Sequence, residues 1–172
     1  MDVRQHLVCI SAIFLLSICQ VWLFNPVSLF GVATPLLYLY ILFLFPYKVS
    51  RLTILLYGFM CGLLIDLLGN SLGLHTAALT ATAFFRNPIA TLFVSSDIEM
   101  GHFHPGLRSM GSRFYLFSLL ITGLHTLLLF LLDAWSLFDP FYFTVRTLSS
   151  WAATFVLSLV LYFLFGRREI GK

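Results

Sequence analysis

The sequence predicts an all-α integral membrane protein with six transmembrane helices, and three observations lead there. Its 172 residues are 60% hydrophobic and only 10% charged, where a soluble domain carries about 25% charged residues. Six apolar segments are separated by polar or proline-marked breaks, and at roughly 20 residues per crossing the length holds six spans and no soluble domain. Basic residues gather in alternate loops, the asymmetry that orients helices in a bilayer.

The first span is read over residues 7–24 and closes at Asn25-Pro26. No small-x-small cleavage site follows it, so a retained helix is expected rather than a removed signal peptide. The second covers 31–45, with Pro35 near its start, where proline is tolerated, and Pro46 just beyond its end. The third runs over 52–68. The short turn Gly69-Asn70-Ser71 then makes it a tight antiparallel hairpin with the fourth, 72–86, which Arg86-Asn87-Pro88 stops. Residues 87–113 form the longest break; their polar, turn-rich part reads equally as a surface for a soluble partner or as a connector. The fifth and sixth spans cover 114–132 and 142–165.

With the N-terminus in the cytoplasm, Arg4, Lys48, Arg51, Arg108, Arg113, Arg167, Arg168 and Lys172 all fall on the cytoplasmic side, and the outer loops carry only Asp133 and Asp139. An even number of spans puts the C-terminus in the cytoplasm too. Arg86 and Arg146 enter apolar stretches. They are expected to snorkel, Arg86 to the cytoplasmic face and Arg146 to the outer one, or Arg146 to pair with Asp66.

Asp66 is the acidic residue inside the third apolar run, and Gly58, Gly62, Gly69 and Gly73 flank it at helical spacing. Small residues admit another backbone, and a carboxylate in lipid is costly, so this face is expected to touch protein. Asp66 lies 15 residues after Arg51, roughly 22 Å along a helix. That places it at the outer end of its span, beside the start of the next helix. Two readings stay open: Asp66 caps or neutralises that helix start, or it contacts a partner or ligand. His75, nine residues on, is in reach of a hydrogen bond to it. Gly58-x-x-x-Gly62 suits close helix packing, within the chain or against a partner.

No metal site is expected, because His75, His125, His102 and His104 fall at different depths. Cys9, Cys19 and Cys61 lie in apolar segments and read as small core residues. Catalysis is not expected either. No Gly-x-Ser-x-Gly is present, and the remaining acid pair, Asp66 with Asp133, includes a residue better read as an interfacial boundary beside Trp135.

Four stretches resemble the MreD family of rod shape-determining membrane proteins: Pro35–Tyr40, the hairpin Gly58–His75, Phe84–Pro88 and Leu124–Ser136. The hairpin, with its Gly-Leu-x-x-Asp pattern around Asp66, is the most specific. The resemblance covers residues 31–136. Relatives often carry two adjacent histidines in span five, where this chain has Leu124-His125. The resemblance implies a fold similar to the substrate-binding subunits of energy-coupling-factor vitamin transporters, residence in the bacterial inner membrane, and a non-catalytic role without cofactor. It further implies binding to MreC, and a link from MreB filaments to the glycosyltransferase RodA and a penicillin-binding transpeptidase. Neither nucleic-acid binding nor a soluble activity is expected. A rigid bundle recruiting a single-span partner near the glycine stripe is the expected mechanism, with Gly58, Gly62, Asp66, Gly69, Gly73 and His75 as candidate contacts and Arg86, Arg108 and Arg113 at the cytoplasmic face. The competing class, a transporter subunit, requires an outward polar pocket drawn from Asp66, Asn70, His75 and Arg146.

Overall fold

A computed structural model describes residues 3–26, 32–47, 49–94, 105–134 and 139–165, the side chain of Arg108 excepted. The expectations placed on Lys48, His102, His104, Trp135, Arg167, Arg168 and Lys172, and on loop residues 95–104, lie outside the described residues. Every regular element among the described residues is helical. Helix α1 (Val3–Cys19) ends in a π-turn over Gln20–Phe24, α3 spans Arg51–Gly69, α6 spans Arg113–Asp133 and α7 spans Pro140–Phe165. These four are long and apolar enough to cross a membrane. They leave Leu7, Phe14, Leu15, Leu52, Leu56, Leu116, Leu131, Val156 and Leu164 on the outside of the bundle, a surface suited to lipid and not to water.

The fourth expected span is helix α4 (Leu74–Thr91). It packs most extensively against α3 and next against α6, which is why it tolerates His75, Arg86 and Asn87 along its length. Its expected stop at 86–88 is corrected. The helix runs through Pro88 to Thr91, because Ala90 is fully buried and Ile89 packs on the core. That packing outweighs the missing backbone donor. The break is correspondingly narrower than 87–113, and it also contains a single helical turn, α5 (Leu107–Met110).

The second expected span departs most from a helix. Only Leu37–Tyr40, as a 3₁₀ turn, and α2 (Ile41–Leu44) are helical. Pro35 has no N–H and pushes the residue before it toward extended backbone. Buried side chains then take the place of a helical ladder. Ser150 Oγ accepts from Thr34 N at 3.0 Å, and Thr154 Oγ1 accepts from Leu36 N at 3.0 Å. Gln20 brackets the bend: its Nε2 donates to Pro35 O (3.1 Å) and its Oε1 accepts from Leu37 N (2.6 Å). Residues from Leu36 to Phe43 and Phe45 are almost entirely buried. The broken segment therefore forms the centre of the bundle. Irregular backbone at this depth is tolerated where protein encloses it.

Arg86 secures the other end of this segment. It was expected to snorkel to the cytoplasmic face, but it is fully buried. Its guanidinium donates to the carbonyls of Leu42, Phe45 and Pro46 and to Asn87 Oδ1. These carbonyls close α2, where orphan acceptors and the negative end of the helix dipole both favour a cation. Asn87 Nδ2 reaches Val49 O at 3.3 Å, fastening the same corner. Two other helix starts, those of α3 and α7, are capped conventionally. Ser50 Oγ accepts from Thr53 N at 3.1 Å to start α3. Asp139 Oδ1 accepts from Phe141 N and Tyr142 N to start α7, with Pro140 as its first residue. Gly123 gives room to Trp151 at the α6–α7 seam, where the indole donates to Leu119 O at 3.1 Å.

Candidate functional site

The hairpin turn builds the site. Helix α3 ends at Gly69, and Asn70 takes the left-handed conformation (φ 52°). Gly73 is left-handed too (φ 81°) and stands at the N-cap of α4, with no side chain to cap it. Asp66 does so from the neighbouring helix. Its Oδ1 accepts from the Ser71 hydroxyl (2.5 Å) and His75 N (3.1 Å), and its Oδ2 from Thr76 N (2.8 Å) and the Thr76 hydroxyl (2.6 Å). A carboxylate receiving two backbone N–H groups at a helix N-terminus complements the helix dipole. Both oxygens are occupied within the hairpin. That leaves no shared-proton geometry with Asp133, which instead pairs with Arg146.

Gly58 and Gly62 serve this hairpin from within. A Cβ on Gly62 would stand 2.5 Å from Thr76 Cα and 2.8 Å from His75 O, and one on Gly58 would stand 3.1 Å from Ala83 Cβ. The stripe expected to receive a partner is thus closed by α4. It also ends with α3: Gly69 makes ordinary contacts with Asn25, Val21 and Ser71, and Gly73 belongs to the next helix. Arg113 is exposed at the start of α6, at the Arg86 end of the bundle. Arg108 contributes no described side chain.

The His75 imidazole turns away from Asp66. Its Nδ1 meets Tyr38 Oη at 2.8 Å, and Tyr38 Oη meets His125 Nε2 at 2.7 Å. His125 Nδ1 meets Thr82 Oγ1 at 3.1 Å, and Thr82 donates to Ala78 O at 2.7 Å. The direction of every bond follows from the last one. Thr82 has used its proton, so it accepts from His125 Nδ1–H. His125 Nε2 then accepts from Tyr38, and Tyr38 Oη accepts from His75 Nδ1–H. For neutral rings this leaves His75 Nε2 as a bare acceptor. Tyr38, Thr82 and His125 are fully buried, where a wholly satisfied polar chain rigidifies a core.

His75 also lines a cavity of about 230 Å³ at the turn end of the bundle, together with Asn25, Thr34, Ser71, Asp133 and Arg146. Arg146 Nη1 donates to Asp133 Oδ2 at 2.6 Å, with side chains 32% and 36% exposed, and its guanidinium lies 4.4 Å from the centre of the Phe130 ring. The expected alternative, a pair with Asp66, does not form. Among the described residues no cluster of three metal-ligating side chains occurs.

A second concavity, of about 630 Å³, is an open apolar groove along the α3–α4 hairpin. Its walls are Leu55, Phe59, Leu63 and Phe84, and its floor is Gly73, Thr76, Ala77, Thr80 and Ala81. Thr80 Oγ1 is buried there with no hydrogen-bond partner. The floor carries a small residue at every fourth position, Gly73, Ala77 and Ala81. That spacing is readable in the sequence, but the more conspicuous Gly58-x-x-x-Gly62 obscured it. Tyr38 and Gln20 also escaped the sequence reading; a glutamine within an apolar first span was the available signal for the second. Comparison with known proteins finds no matching family model, no similar curated protein and no similar solved structure.

Proposed function

We propose that this chain is a non-catalytic membrane scaffold of the MreD type. In this reading it crosses the bacterial inner membrane six times with both termini in the cytoplasm, and the broken segment around Pro35 is the second crossing. It binds the single spanning helix of an MreC-like partner and so helps join MreB filaments to RodA and a penicillin-binding transpeptidase. The observation that carries the reading is the groove on the α3–α4 hairpin, the part of the chain whose resemblance is most specific. Its floor has the small-xxx-small spacing that lets two helices approach closely in lipid. The contact moves from the closed Gly58/Gly62 seam to the open groove beside it, with Thr76 at the border of both.

Filling the groove tests this. Ala77→Phe and Ala81→Phe add bulk to the open floor and leave the α3–α4 seam intact. Both variants should lose co-purification of the MreC-like partner while keeping the wild-type melting temperature. Undiminished co-purification by two folded variants would overturn the groove as the contact.

A second reading, the solute-binding subunit of a small-molecule transporter, is favoured by the polar cavity of His75, Asp133 and Arg146. With the proposed orientation that cavity opens outward, as such a subunit requires.

A further inference from the structure

We infer that the cavity at the turn end binds a small zwitterion of amino-acid size, whose carboxylate sits on Arg146 and whose ammonium sits between Asp133 and His75 Nε2. The inference deepens the second reading and does not depend on the scaffold reading. Size is the first argument. A cavity of about 230 Å³ holds some seven waters at ~30 Å³ each, and it falls below the ~300 Å³ at which drug-sized ligands begin. A free amino acid fits within it.

Charge is the second argument. The wall carries one guanidinium and one carboxylate, held together at 2.6 Å. A simple anion on Arg146 would face Asp133, and a simple cation on Asp133 would face Arg146. Only a ligand bearing both charges meets each wall group with its opposite. The third argument is hydrogen bonding. The chain from Ala78 through Thr82, His125 and Tyr38 fixes His75 with Nδ1–H turned inward. The ring therefore presents an acceptor to the cavity and calls for a donor, which an ammonium supplies. Asn25 and Thr34 add polar surface to the lining.

The test is equilibrium binding of radiolabelled amino acids to the purified full chain in lipid nanodiscs. Alanine should compete with its own label; ethylamine and propionate, each lacking one of the two charges, should not. Arg146→Gln and Asp133→Asn should each weaken binding about tenfold or more, the loss of one charge-assisted hydrogen bond. Both side chains are about one-third exposed, so the variants should melt like wild type. Should Arg146→Gln fail to fold, Arg146→Lys serves instead. It keeps the charge without the planar fork and should bind more weakly than wild type. Absence of saturable binding by any amino acid at millimolar concentration, or wild-type affinity in folded Arg146 and Asp133 variants, would overturn the inference. A normal partner pull-down beside failed amino-acid binding would leave the scaffold reading standing, and saturable binding that ignores these substitutions would retain a solute site but not this one.

Discussion

Gly62 and Gly73 belong to one hairpin but are required for opposite reasons. At Gly62 the obstacle is space, since a Cβ would strike the α4 backbone at Thr76. At Gly73 the obstacle is conformation alone, because the residue is left-handed with nothing within 4 Å. Gly73→Asn should therefore be nearly silent in a thermal melt, as asparagine tolerates the left-handed region. Gly62→Ala should cost about 1–3 kcal/mol or more, the usual range for overpacking a close seam. Equal melting temperatures for the two variants would contradict the seam. The sequence indicated the importance of both glycines and of Asp66, because helical spacing and a lone acid are visible in one dimension. It did not indicate which side of the hairpin each glycine faces, which depends on where α3 ends. The position of Asp66 beside the next helix start followed from residue counting, whereas the turn of the His75 ring toward Tyr38 depends on a segment 37 residues away.

At the scale of elements, the second segment is where periodicity misled. Residues 31–45 are apolar throughout, and hydrophobicity cannot separate a spanning helix from a buried broken one. Pro35 reads in the sequence as a proline tolerated near the start of a span, and its breaking effect depends on distant acceptors and donors: Gln20, Ser150 and Thr154. Arg86 is the counterpart at the other end. Replacement by Met would leave the carbonyls of Leu42, Phe45 and Pro46 without their donor, each at a cost of about 1–3 kcal/mol. Arg86→Met should therefore sharply lower the melting temperature and expose the α2 segment to proteolysis. Arg86→Lys should recover only part of the loss, because an ammonium lacks the fork that reaches several carbonyls at once. An Arg86→Met protein that melts like wild type would remove the arginine from this role.

At the scale of the molecule, the all-helical membrane class was legible from composition, and the four longest apolar helices stand within a few residues of their expected bounds. Their lengths follow from hydrophobicity, which is a local property. Their neighbours are not local, and so the central position of the broken segment, the cavity and the groove had to be seen in three dimensions. The central claim is that the α3–α4 groove receives a partner's spanning helix. Site-specific photocrosslinking in cells tests it most directly, with the probe placed at Phe59, Leu63, Ala81 or Phe84 in the groove and at Val156 or Leu164 on α7. The account predicts adducts to the MreC-like partner from the groove positions and none from α7. Adducts from α7 with a silent groove would contradict it.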